Sequence, residues 1–82
     1  MPEELVARVA SVIAHTKKIP SESVTLDKTF QELGIDSLDG INIVFSLENE
    51  FDINVPDDAV REIKTVRQMV EGVEKLLAAK AS

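Results

Sequence analysis

Eighty-two residues leave room for one domain, near the lower end of what can bury a self-sufficient core. The chain has no cysteine, which excludes disulfides, thiolate metal sites and a thiol nucleophile, and no apolar run approaches the ~20 residues that span a bilayer. The net charge of −6 is gathered in one place: Thr29 to Val60 carries eight acids and no Lys or Arg, while the other seven acids are outnumbered by nine bases.

Such a stretch repels nucleic acid and steers a partner with a basic patch; as a plain solvated face it serves solubility. The start, Met1-Pro2-Glu3-Glu4, lacks the basic flank and apolar run of a signal peptide, so a cytoplasmic, non-membrane-spanning protein is expected. No repeat or linker breaks the chain, and residues 1–82 read as a single domain.

Pro2 suits the first turn of a helix, and Glu3 and Glu4 suit its dipole. Leu5, Val9, Val12 and Ile13 recur at helical spacing as a core stripe. Lys17 and Lys18 suit the C-terminus, and Pro20 marks the exit. About twenty residues then pass, too many for a structureless loop in so small a domain. Ile19, Val24, Leu26, Phe30, Leu33 and Ile35 are expected to pin this crossing to the core. Within it Thr29-Phe30-Gln31-Glu32 reads as a capping box opening a single turn, closed by Gly34.

The second helix starts with Asp36 or Ser37 as N-cap and runs to Phe51. On a wheel with Leu38 at zero, Ile43, Val44, Leu47 and Phe51 fall between about 140° and 240°, the expected core face. Leu38, Ile41 and Phe45 fall between about 300° and 360°, a second stripe with Glu48 and Asp52 beside it. Either the loop or a short helix covers that stripe, or it stays exposed for docking; the wheel leaves both open. Gly40 falls within the core arc, where glycine costs roughly 1 kcal/mol against alanine. A close backbone approach explains it, and so does space left for something to enter.

Pro56-Asp57-Asp58 predicts a short helix through about Ile63. Thr65-Val66-Arg67-Gln68 is a second capping box, followed by a stripe of Val66, Met69, Val70, Val73, Leu76 and Leu77. The fold class is therefore all-α: a small up-and-down bundle of three main helices plus one short helix, with a long first loop.

Catalytic and metal sites are hard to assemble. A Ser/His/Asp hydrolase needs a base near its serine, and the single imidazole, His15, belongs to the end of the first helix. Asp52-Ile53-Asn54-Val55-Pro56-Asp57 opens like a calcium loop, but Pro56 takes a ligand position, Asp57 replaces the turn glycine and Ile63 replaces the bidentate acid. Ser37 has an ordinary explanation as a helix cap. A phosphate ester on it would nevertheless face the positive end of the helix and its free N–H groups.

Gly34-Ile35-Asp36-Ser37-Leu38-Asp39, followed by Ile43, Leu47, Glu48, Glu50 and Phe51, resembles the attachment motif of acyl carrier proteins. The resemblance extends through the loop anchors Val24, Phe30 and Leu33, the turn Phe51-Asp52 to Val55-Pro56-Asp57, and Ile63-Lys64-Thr65-Val66. It implies that a phosphopantetheinyl transferase moves 4'-phosphopantetheine from coenzyme A onto Ser37. Acyl groups would then ride as thioesters on the arm's thiol, with the chain a monomeric carrier and not an enzyme. It further implies that Asp36, Leu38, Asp39, Ile41, Phe45 and Glu48 dock onto basic patches of acyl-loading, condensing and acyltransferase enzymes. Gly40, Val44, Leu47, Ile63 and Val70 would line the space into which the acyl chain folds back.

The chain departs from the usual pattern of the fatty acid carriers at Asn42 and Asn49, where acids are usual, at Gly40, where a bulkier residue is, and at Phe45, where methionine is common. These departures point to a carrier dedicated to one pathway of modified lipid, lipopolysaccharide or polyketide synthesis. Rival readings are a helical adaptor binding through the acidic face, an aminoacyl or peptidyl carrier, and a hydrolase dependent on Ser37 and His15.

Overall fold

The structure, a computed structural model, describes residues 2–81. Helix α1 (Glu3–Lys17) starts behind an extended Pro2 and stops at Lys18, whose φ of 58° is left-handed. Helix α2 (Ser37–Phe51) starts behind Asp36 and stops at Asp52, left-handed again with φ 54°. Helix α3 (Asp57–Glu62) starts behind Pro56. Helix α4 (Val66–Ala81) starts behind the second capping box, where the Gln68 N–H donates to Thr65 Oγ1 at 3.1 Å and Gln68 Oε1 accepts from the Thr65 N–H at 3.2 Å.

Three long-range ion pairs record how the helices run. Arg8 on α1 meets Glu50 near the end of α2 at 3.0 Å, and Lys17 at the end of α1 meets Asp39 at the start of α2 at 2.9 Å. Helices α1 and α2 are therefore antiparallel. Lys80 near the end of α4 meets Asp52, just past α2, at 2.9 Å, so α4 runs alongside α2 and against α1. This is the up-and-down bundle of three main helices and one short one expected from the sequence. The exposed pairs Arg8–Glu50 and Lys80–Asp52 contribute little to stability, while Lys17–Asp39 is half-buried. The core holds the bundle: Val9, Ile13, Ile43, Leu47, Val66 and Val70 are at most 1% exposed. Each such side chain contributes roughly 1.5–3 kcal/mol by leaving water.

The crossing from α1 to α2 is ordered throughout its length. It holds a 3₁₀ turn at Ser21–Ser23, and its anchors Val24 and Ile35 are buried while Ile19, Leu26, Phe30 and Leu33 pack against the core half-buried. The Thr29 box forms as expected, with the Glu32 N–H donating to Thr29 Oγ1 at 3.0 Å and the Thr29 N–H to Glu32 Oε1 at 2.9 Å. Gly34 closes that turn at φ 72°, a conformation that favours glycine. The Phe30 N–H also donates to the Lys64 carbonyl at 2.9 Å and the Val66 N–H to the Lys28 carbonyl at 3.1 Å, an isolated antiparallel bridge between Thr29 and Thr65. That bridge ties the loop to the entry of α4 and so fixes the approach to Ser37. Among the described residues no helix is long and apolar enough to cross a membrane.

Candidate functional site

The first turn of α2 answers the question the sequence left open, which of Asp36 and Ser37 is the cap. It is Asp36. The Asp39 N–H donates to Asp36 Oδ1 at 2.8 Å, and Asp39 Oδ2 accepts from the Asp36 N–H at 3.4 Å, a reciprocal capping box. The ordinary explanation of Ser37 as a cap is thereby corrected. Its side chain is exposed, and its hydroxyl makes no hydrogen bond among the described residues. The N–H groups of Ser37 and Leu38 likewise lack partners among those residues, as first-turn donors do. An oxyanion ester on Ser37 would meet two free donors and the positive end of a 15-residue helix.

Beside Ser37 lies a cleft of about 850 Å³, open to solvent, between the first half of α2, the loop before it, and α3 with the entry to α4. Gly40, Val44 and Ile63, expected to line the space that takes the acyl chain, border this cleft. A Cβ built on Gly40 would meet no atom within 4 Å, so close backbone approach is excluded as the reason for this glycine. It leaves open space at the mouth. Leu47 and Val70, expected with them to line the space between the helices, are buried in the core at 1% and 0% exposure and do not border this open cleft. Leu47 shares Gly40's face of α2, but seven residues further on it sits ~10 Å deeper along the axis. Val60 and Met69 take their place, with Ile35 from the loop. Their signal was present in the sequence, since Val60 stands three residues before Ile63 and Met69 lies in the α4 stripe.

The second stripe of α2 is not covered by loop or helix. Leu38, Ile41 and Phe45 are 66%, 45% and 59% exposed, the largest apolar side chains so exposed among the described residues. The three acids expected on that face, Asp36, Asp39 and Glu48, divide. Asp36 is exposed and serves the cap through one oxygen. Asp39 is held between Lys17 and the Asp36 N–H, and its carboxyl lies below the ordinary carboxylate range, chiefly through the Lys17 hydrogen bond. Glu48 is half-buried and accepts from the Val55 N–H at 2.9 Å, pinning the turn into α3. All three thus also hold the fold.

His15 is exposed on α1 and makes no hydrogen bond to Ser37, so nothing assembles a nucleophile and base. The calcium-like segment is engaged otherwise: the Asp52 carboxylate and carbonyl both accept from Lys80, at 2.9 Å each. Among the described residues no group of three metal-ligating side chains converges.

Residues 5–73 match the family described as "Phosphopantetheine attachment site". The chain is 40% identical over 75 residues to an acyl carrier protein of Trieres chinensis, which covers 90% of this chain and 94% of that one. It is 40% identical over 73 residues to an acyl carrier protein of Prochlorococcus marinus (strain MIT 9515), covering 88% and 91%. Among solved structures, an acyl carrier protein from Thermotoga maritima superposes with a TM-score of 0.85 at 29% identity, over 95% of this chain and 92% of that one.

Proposed function

The chain belongs to the acyl carrier protein family, and we propose that Ser37 is the residue through which it carries its cargo. It is a carrier and not a catalyst, and its prosthetic group is 4'-phosphopantetheine. When bound, the arm supplies a terminal thiol on which acyl groups are held as thioesters for partner enzymes.

The observation that supports Ser37 is the division of labour at the start of α2. Asp36 caps the helix, and Ser37 keeps an exposed hydroxyl with no internal task. Attachment forms an ester between Ser37 Oγ and the phosphorus that leaves coenzyme A, releasing its adenosine bisphosphate portion and the serine proton. A phosphopantetheinyl transferase must supply the base and metal, because no such groups converge beside Ser37 among the described residues. Once formed, the phosphodiester would find the free N–H groups of Ser37 and Leu38 beside it. The cleft beyond Gly40, walled by Val44, Val60 and Ile63, offers an apolar place for the acyl chain.

Leu38, Ile41 and Phe45, flanked by Asp36, Asp39 and Glu48, form the face offered to acyl-loading, condensing and acyltransferase enzymes with basic patches. Charge there governs encounter rate and choice of partner more than affinity. The cytoplasm is the compartment proposed, since a free thiol on the arm persists in a reducing milieu. The open space at Gly40 supports a pathway with cargo bulkier near the tether than a straight fatty chain. Mapping the adduct by fragmentation mass spectrometry tests the attachment point: the phosphodiester falls on Ser37, and an adduct on any other residue overturns the assignment. Complementation of a strain lacking its main carrier tests the pathway, and full rescue counts against a dedicated one.

A further inference from the structure

The acid-rich segment ends abruptly, and the first two bases after it, Arg61 and Lys64, both line the cleft that Ser37 and Gly40 open. The salt bridges among the described residues use Arg8, Lys17, Arg67 and Lys80. The side chains of Arg61 and Lys64 make neither a hydrogen bond nor an ion pair there. Two acids share the cleft, and neither is within ion-pair distance of these cations. Asp36 is turned to the Asp39 N–H at 2.8 Å, and Asp57 lies in the first turn of α3, whose dipole favours it. Two solvent-exposed cations without an ion-pair partner therefore stand on one wall of the cleft that Ser37 opens into.

The geometry points to Arg61 and Lys64 as an anion-holding wall for an oxyanion delivered by the arm on Ser37. That oxyanion is either the arm's own phosphodiester or a carboxylate at the far end of an acidic acyl cargo. Arginine offers a planar fork and lysine a point charge, and both suit either oxyanion. Holding it would lay the arm across the cleft towards α3 and away from the exposed Leu38 and Phe45.

The inference rests on Ser37 as tether, so the test first establishes attachment by intact mass. The full chain and its Arg61→Gln/Lys64→Gln variant are then compared without the arm, with the arm, and with the arm loaded with either a straight saturated acyl chain or one of equal length ending in a carboxylate. The readouts are Tm at low and high salt and the Arg61 Nε NMR signal. If the phosphodiester is held, the arm alone raises Tm at low salt and moves the Arg61 signal. If the carboxylate is held, only the acidic cargo does so. In either case salt shrinks the gain, the double variant loses it, and Arg61→Lys/Lys64→Arg restores it. An unmoved Arg61 signal with equal Tm differences in wild type and double variant overturns the wall while leaving Ser37 as tether. No mass gain at all overturns the tether and the wall together.

Discussion

Lys17 Nζ lies 2.9 Å from Asp39 Oδ2, so the last turn of α1 is fastened to the first turn of α2, two residues from Ser37. The Asp39 carboxyl is held below its ordinary value first by that hydrogen bond. Glu32 is lowered first by the Thr29 N–H and Asp52 first by Lys80. All three are depressed in the folded state, so the stability they contribute is present above their unfolded values and is lost as pH falls through the folded ones. Urea denaturation is expected to give constant stability near neutrality and a decline below about pH 4. Asp39→Asn makes that decline shallower. A midpoint that holds steady down through the acid range would contradict this.

Ser37→Ala removes a hydroxyl with no internal partner, so stability changes by no more than about 0.5 kcal/mol. Asp36→Ala removes the cap and costs about 1 kcal/mol. Chemical denaturation of the two variants separates tether from cap. The reverse order would mean that the serine holds the helix.

Gly40→Ala places a methyl where no atom lies within 4 Å, inside a helix. It is expected to stabilise the chain by about 0.5–1 kcal/mol. Gly40→Leu instead fills the mouth of the cleft. In the loaded form it displaces the acyl chain towards solvent, and thioester hydrolysis speeds up. An unchanged hydrolysis rate would place the chain elsewhere.

On α2 the two stripes predict opposite phenotypes. Ile43→Ala, fully buried, costs about 2–5 kcal/mol, whereas Phe45→Ala stays within about 0.5 kcal/mol and slows turnover by partner enzymes. Glu48 separates charge from structure. Glu48→Gln can keep an acceptor for the Val55 N–H while losing the charge, and Glu48→Ala loses both, at about 1 kcal/mol more. Denaturation midpoints beside steady-state kinetics with a partner enzyme resolve the pair.

Local signals are legible in the sequence where one residue type has one use. Pro2 and Pro56 stand before helices, the Thr29 and Thr65 boxes close, and Gly34 takes its left-handed turn. Periodicity gives an angle around a helix but no depth along it, so it does not separate Gly40 and Val44, which border the open cleft, from Leu47 and Val70, which lie in the core. Asp36 and Ser37 are both good caps, so composition could not separate them; geometry did. The Thr29–Thr65 bridge and the Glu48 to Val55 bond join residues whose neighbourhood depends on the finished packing, and no local pattern announces them. The exposure of Phe45 was likewise undecidable on the wheel, because what would cover it is another element.

Intact-protein mass spectrometry after incubation with coenzyme A and an active transferase bears most directly on all of this. One phosphopantetheine per wild-type chain and none on Ser37→Ala is the predicted result. An unchanged wild-type mass, or an equal gain on the alanine variant, contradicts it.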